Sequence, residues 1–286
     1  MANAVKAPAP VTTAADLREC VRSWRANGER VALVPTMGAL HTGHLALVRK
    51  AAELAGRVVV SIFVNPAQFA PNEDFARYPR DVARDRALLE EQGLTDSIYA
   101  PDVSEMYPEG VASDVVPKGP AAGLESDFRA HFFAGVATIV SRLFRQCRPD
   151  FAVFGEKDYQ QLLVVRRLAR DLDLGLEVVG VPTVREADGL ALSSRNAYLD
   201  PGQRKIAGSL NRILRDVGAR VRQGGGIAEA EAEGAARLIE AGFDRVDYVA
   251  VRDAETLAPV RDLARPARVL AAVRTGPVRL IDNMAI

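Results

Sequence analysis

The sequence predicts a doubly wound parallel α/β sheet followed by a smaller C-terminal α+β domain, on three observations. Strand-like and helix-like patterns alternate from about Val31 to Val181, the order that builds a parallel sheet covered by helices on both faces. Residues 57–64 form a continuous β-branched run rather than an alternating one, as a strand buried on both faces does. After about Val184 the pattern changes to long helical stretches and then short strands, which divides the chain into domains at 1–184 and 185–286. A length of 286 residues suits one large or two modest domains, at about 150 residues per domain.

Each element has its own signal. Thr13-Ala14-Ala15-Asp16 has capping-box spacing with Asp in place of Glu. Leu17, Cys20, Val21 and Trp24 then share one helical face, and Gly28 stops the helix. Residues 31–34 read as a short strand ended by Pro35. A turn over 36–43 leads into a helix at about 44–54, then the strand at 57–64. A helix over 79–92 is closed by Gly93, and a strand follows at 97–100. Residues 101–127 carry four prolines and read as loop. Helix 133–147, strand 151–154, helix 158–172 and strand 176–181 complete the first domain. Beyond it, helices at 201–222 and 227–241 are separated by Gly224-Gly225-Gly226. Strands follow at 246–252, 268–274 and 278–281, the last two joined as a hairpin at Thr275-Gly276-Pro277.

Composition excludes several function classes. Hydrophobic residues are 48% and charged residues 26%, which excludes a disordered or collagen-like chain. Lys plus Arg is 37 and Asp plus Glu is 37, so the formal net charge is zero. A protein that coats nucleic acid or anionic lipid is usually basic. Cys20 and Cys147 lie far apart and form no CxxC, which argues against a disulfide framework or structural zinc and for a reducing compartment. Residues 1–13 lack the apolar core of a signal peptide, and the run at 58–64 is far shorter than a membrane span. The expectation is a cytoplasmic protein with no membrane or nucleic-acid partner.

The candidate chemistry sits just after predicted strands, where open parallel sheets bind ligands. Two of the three histidines stand at His41-Thr42-Gly43-His44, between a strand and a helix. A helix N-terminus favours an anion such as phosphate, and paired imidazoles there can donate to phosphoryl oxygens as charge develops. The plainer alternative is one capping and one packing histidine. Neither a carboxylate nor a third histidine stands where zinc would need it. Asn65 and Gln68 leave the next strand in Phe63-Val64-Asn65-Pro66-Ala67-Gln68-Phe69 and offer amides to hydroxyls and a carboxylate; alternatively Asn-Pro is only a turn. Gly155-Glu156-Lys157-Asp158-Tyr159-Gln160-Gln161 places a cation at another strand end, or is an ordinary charged first turn. Ser193-Ser194-Arg195 suits a polyphosphate, or is a polar linker. No nucleophile elbow, Walker A loop or GxGxxG occurs.

Pro35-Thr36-Met37-Gly38-Ala39-Leu40-His41-Thr42-Gly43-His44 resembles the HxGH loop of the Rossmann-like nucleotidylyltransferases. Taken with Phe63 to Phe69, Gly155 to Gln161, Ser193-Ser194-Arg195-Asn196, Asp247-Tyr248-Val249 and Leu280-Ile281-Asp282-Asn283, it resembles the pantoate–β-alanine ligases over nearly the whole chain. The resemblance implies attack of the pantoate carboxylate on ATP to give pantoyl adenylate and pyrophosphate, then capture by β-alanine with release of AMP. It also implies Mg2+, a homodimer and a closing C-terminal lid. By matching positions, Pro35 to His44, Gly155, Glu156, Lys157, Asp158, Val184, Leu192, Ser193, Ser194 and Arg195 would meet ATP. His41, His44, Lys157, Ser193, Ser194 and Arg195 would carry the chemistry; Gln68, Gln161, Asn65 and Arg129 would hold pantoate and β-alanine. Leu192 stands where the family often has Met, a swap that keeps apolar volume. In Arg129-Ala130-His131-Phe132-Phe133-Ala134-Gly135-Val136, Phe132 falls where the commoner R-P-G-H-F-x-G-V pattern has His, so no histidine role is carried to this segment.

The chemistry agrees with this residue set. A carboxylate is already ionised at neutral pH, so its adenylation needs alignment and charge neutralisation rather than a general base. The rival readings are another adenylyltransferase of the same fold, an RNA-binding module descended from a tRNA synthetase, and an inactive scaffold. An RNA module would carry a basic appended domain. Residues 201–286 hold 14 Lys/Arg against 11 Asp/Glu, an excess of only three.

Overall fold

A computed structural model of the chain describes residues 8–71, 73–110 and 115–286. Parts of the N-terminal stretch and of the 101–127 loop reading, at 1–7 and 111–114, lie outside the described residues. One sheet holds β1 (Ala9–Val11), β2 (Val31–Thr36), β3 (Arg57–Ile62), β4 (Ser97–Tyr99), β5 (Phe151–Gly155) and β6 (Glu177–Val181). All six are parallel, in the order β1-β4-β3-β2-β5-β6. Strand order reverses between β2 and β5, so the carboxyl ends of these neighbours bound the crevice where such sheets bind ligands.

The connecting helices are α1 (Ala14–Ala26), α2 (Thr42–Leu54), α3 (Val82–Gln92), α4 (Val103–Met106), α5 (Glu125–Phe128), α6 (Phe132–Cys147) and α7 (Tyr159–Asp171). Strand β2 shows how two cores arise from one run. Val31 and Leu33 pack with α1, α6 and α7, whereas Ala32 and Val34 pack with α2 and α3. Thr13 caps α1 as its spacing predicts, with Oγ1 accepting from Asp16 N–H at 3.1 Å.

The second sheet is antiparallel, β7 (Arg245–Asp253), β8 (Ala267–Thr275) and β9 (Val278–Ala285) in sequential order, with the predicted hairpin between the last two. Helices α8 (Pro201–Ala207), α9 (Ser209–Arg222) and α10 (Ile227–Glu240) complete a core with one face of it through Leu214, Val217 and Leu238. Ala250 and Leu270 on the other face join the core of the first sheet.

Three local readings are corrected. Pro35 continues its strand instead of ending it. The β2 ladder to β5 stops at Leu33 while that to β3 runs on to Thr36, so the proline lacks a donor on a side that no longer needs one. The N-terminal Ala9-Pro10-Val11 adds an unanticipated edge strand, in which Ala9 N–H and Val11 O bond to β4's neighbours and Pro10 faces outward. The single helix expected at 201–222 breaks at Gly208, where a Cβ would lie 2.4 Å from Asp188 Oδ2.

Candidate active site

The cleft is built at the end of β2. Thr36 Oγ1 donates to Ser61 O at 2.8 Å and accepts from Gly38 N–H at 3.2 Å, starting the turn. Gly38 and Ala39 then adopt left-handed backbone, with φ of 81° and 51°. That turn is held from below by Asp85 of α3, whose Oδ1 accepts from Leu40 N–H at 2.8 Å. Burial pushes the Asp85 carboxyl up from its ordinary value. The turn delivers the chain to His41, the N-cap of α2.

The two histidines form a reciprocal capping box. His41 Nδ1 accepts from Gly43 N–H at 3.1 Å, and His44 Nδ1 accepts from His41 N–H at 3.3 Å. Each Nδ1 is therefore an acceptor, each neutral ring carries its proton on Nε2, and both histidines line the cleft. Their centroids are 4.1 Å apart. Gly43 is required between them, since a Cβ there would sit 2.8 Å from the His41 ring. Burial, then the nearby Lys157 charge, lowers His41 to about 4. Burial, then His41 itself, lowers His44 to about 3. Both are neutral donors at physiological pH.

The neighbouring strand β5 ends in Gly155 and hands over to a short 3-10 turn, Glu156–Asp158. Lys157 lies close enough to depress both imidazoles, with Nζ 3.5 Å from Asp158 Oδ1. The paired imidazoles and the ammonium thus share one cleft of about 760 Å³, lined also by Pro35, Thr36, Met37, Gln161 and Val184. On a third wall, Ser193 Oγ accepts from Arg195 N–H at 3.3 Å, and Ser194 Oγ donates to Ala39 O at 3.1 Å. The Arg195 guanidinium is held by Asp74 through two 3.0 Å bonds. Leu192 sits beside Gly43, its Cβ 3.7 Å from where a Gly43 Cβ would be.

Not every expected contact residue lines the cleft. Gly38, Ala39, Leu40, Thr42 and Glu156 do not line the cleft. Leu40 is buried, and Glu156 turns to Arg268 at 3.0 Å. Asn65 is 1% exposed. Its Nδ2 donates to Gly135 O and Gln68 Oε1, and its Oδ1 accepts from Tyr107 and Ala67. It therefore fixes Gln68 and has little left for a ligand. Gln68 Nε2 meets Met37 Sδ at 2.9 Å, a weak acceptor that a better one would replace. Arg129 is paired to Glu73 at 2.6 and 2.7 Å, and its guanidinium lies 3.8 Å over Phe132. Phe132 thus supports the arginine, while His131 is exposed at the start of α6.

Several cleft residues left no local signal: Asp74, Tyr78, Glu125, Tyr248 and Arg279. Glu125 receives Arg279 at 2.6 and 2.8 Å and the Tyr248 hydroxyl at 2.8 Å, linking the first sheet's side to the second. Only the Asp247-Tyr248-Val249 resemblance touched this cluster.

Fold and cleft together define a protein of the doubly wound α/β class, with a candidate site at the strand-order switch lined also by the second sheet. Comparison narrows the class: the pantoate-beta-alanine ligase family model matches residues 9–285, and the chain belongs to that family. It is 57% identical to the pantothenate synthetase of Bradyrhizobium sp. BTAi1, over 94% of this chain and 95% of that protein. It is 55% identical to that of Paramagnetospirillum magneticum, over 96% and 97%. The crystal structure of pantothenate synthetase from Thermus thermophilus superposes with a TM-score of 0.90 at 52% identity, covering 96% of this chain and 98% of that one. The pantoate-beta-alanine ligase of Francisella tularensis, complexed with beta-gamma ATP and beta-alanine, superposes with a TM-score of 0.83 at 31% identity, covering 97% of each.

Proposed function

We propose that the chain joins pantoate to β-alanine in two steps within this cleft, at the cost of ATP. The pantoate carboxylate attacks the α-phosphorus; the new P–O bond forms as the bond to pyrophosphate breaks. The β-alanine amine then attacks the acyl carbon of pantoyl adenylate, and AMP leaves. The observation that carries this reading is the reciprocal capping box. It holds two neutral imidazoles as Nε2–H donors beside Lys157 at the strand-order switch. Such fixed donors stabilise charge on phosphoryl oxygens without reorganisation.

In this assignment His41, His44 and Lys157 meet the triphosphate, and Ser193, Ser194 and Arg195 close on it. Val184 and Leu192 line the nucleotide side. Gln68 and Gln161 hold pantoate, with Asn65 and Arg129 fixing the wall behind them. Because both Nδ1 atoms accept backbone N–H bonds and both Nε2 atoms carry protons, neither imidazole is free to act as a base in the second step. The proton released by the attacking amine passes to the departing phosphate or to water. Residues 1–184 are assigned as the substrate-binding domain and 185–286 as the lid.

Among the described residues no group of three or more His, Cys, Asp or Glu is arranged to hold a metal ion. In this reading Mg2+ would arrive on ATP, since it keeps its waters and binds phosphate oxygens with few protein ligands. Its contribution there is to neutralise phosphate charge. We assign the protein to the cytoplasm as a homodimer, following the family; no helix among the described residues is long and apolar enough to cross a membrane.

Exchange of pyrophosphate into ATP tests the reading. Exchange is expected with pantoate alone, and pantothenate only when ATP, pantoate and β-alanine are all present. Exchange that needs a phosphorylated acceptor instead would identify a different adenylyltransferase.

A further inference from the structure

We propose that Asn283, on the second sheet, is a positioning residue for Lys157. The inference rests on the assignment of Lys157 to the triphosphate. The 3-10 turn that carries Lys157 has no side-chain cap of its own. Its peptide carbonyls are instead gripped from outside: Asn283 Nδ2 donates to Glu156 O at 2.9 Å and to Lys157 O at 2.8 Å. These contacts span 127 and 126 residues of sequence, and Asn283 is 3% exposed.

The amide has only one workable orientation. Its Oδ1 accepts from Arg268, which can only donate, while the two carbonyls can only accept. Arg268 adds a second hold on the same turn, donating to the Glu156 carboxylate at 3.0 Å and lying 3.7 Å over the Tyr159 ring. The strand end of the clamp is equally fixed. Asn283 N–H donates to Asp282 Oδ1 at 2.7 Å, and Arg185 donates to Asn283 O at 3.1 Å. Arg185 also pairs with both Asp282 oxygens, at 2.7 and 2.9 Å, and Asn211 donates to Asp282 at 3.1 Å. The second sheet therefore presents a preset amide to the main chain beside the reactive ammonium. This gives the Leu280-Ile281-Asp282-Asn283 segment a task that the chemistry had left unassigned.

The two half-reactions separate positioning from general support, because charge develops on the triphosphate only in the first. Asn283→Asp keeps an acceptor for Arg268 but sets a carboxylate oxygen against two carbonyls; Asn283→Ala removes the grip. In both variants single-turnover pyrophosphate release is expected to slow about 10- to 100-fold, since misplacement by about 1 Å can cost about 100-fold. Condensation of supplied pantoyl adenylate with β-alanine should stay within about threefold of the parent protein. Unchanged pyrophosphate release, or an equal loss in both half-reactions, overturns the proposal. Lys157→Ala is run alongside. Slow release in that variant with normal release in the Asn283 variants overturns positioning alone, whereas normal release in Lys157→Ala overturns the assignment of Lys157 and this proposal with it.

Discussion

Arg195 and Asp74 pair on one wall of the cleft through two 3.0 Å hydrogen bonds, closing a planar fork that a phosphate would also fit. The guanidinium assigned to the polyphosphate is thus paired within the protein, and ATP must compete with a carboxylate for it. Asp74→Asn is expected to lower KM for ATP about three- to fivefold, the effect of removing a competing pair worth up to about 1 kcal/mol. Steady-state titration of ATP checks this; a raised KM would mean that Asp74 serves the nucleotide directly.

Lys157→Ala is expected to slow adenylate formation about 100-fold or more, the usual effect of losing one preorganised electrostatic donor. Folding should hold, because the ammonium's ion pair is a 3.5 Å contact to the half-exposed Asp158. Single-turnover pyrophosphate release and a thermal melt read the two effects separately.

The imidazoles give a pH prediction. Unfolded histidine titrates near 6.5, while His41 and His44 are lowered to about 4 and about 3 by burial and their cationic or imidazole neighbours. The native protein therefore binds fewer protons than the unfolded chain below 6.5, and stability held above that pH is lost as pH falls towards about 4 and about 3. In a proton NMR titration two of the three histidine Cε1–H signals should stay in their neutral positions down to about pH 5. Midpoints of about 6 to 7 for that pair would refute the donor assignment.

Gly135 connects packing to the substrate wall. A Cβ there would lie 2.3 Å from Ala67 O and 2.8 Å from Gln68 Cα, so α6 and the 66–68 turn could not both keep their places. Gly135→Ala is expected to cost about 1–3 kcal/mol in stability through overpacking and to raise KM for pantoate about tenfold by displacing Gln68. Melting curves and substrate titrations measure both; a loss of stability with unchanged KM would free Gln68 from the pantoate assignment.

Glu125 ties the two sheets together. Burial alone would raise its carboxyl, but Arg279 and Tyr248 outweigh that and leave it below its ordinary value of 4.5. The stabilisation is present above about 4.5 and is lost as pH falls through the lower native value. Glu125→Gln is expected to cost about 3 kcal/mol at pH 7, because the Arg279 charge is left partly unpaired, and to flatten the acid limb of the melting profile. An unaltered limb would place the acid sensitivity elsewhere.

What is local could be read from the residues alone. Thr13 and Asp16 lie within one turn, so the helix start was legible; β-branched runs marked buried strands, and His41-Thr42-Gly43-His44 with Glu156-Lys157-Asp158 marked strand ends rich in phosphate chemistry. Three-dimensional packing settled the rest: that these two motifs leave adjacent strands, that Pro35 stays in its strand, and that Arg195 is held by Asp74 and Lys157 by the main-chain grip of Asn283. Periodicity reports which face of an element is buried, because that follows from its own repeat. Partners 121 residues apart, such as Asp74 and Arg195, are chosen by strand order and by the docking of the second sheet, and these leave no repeat in the chain.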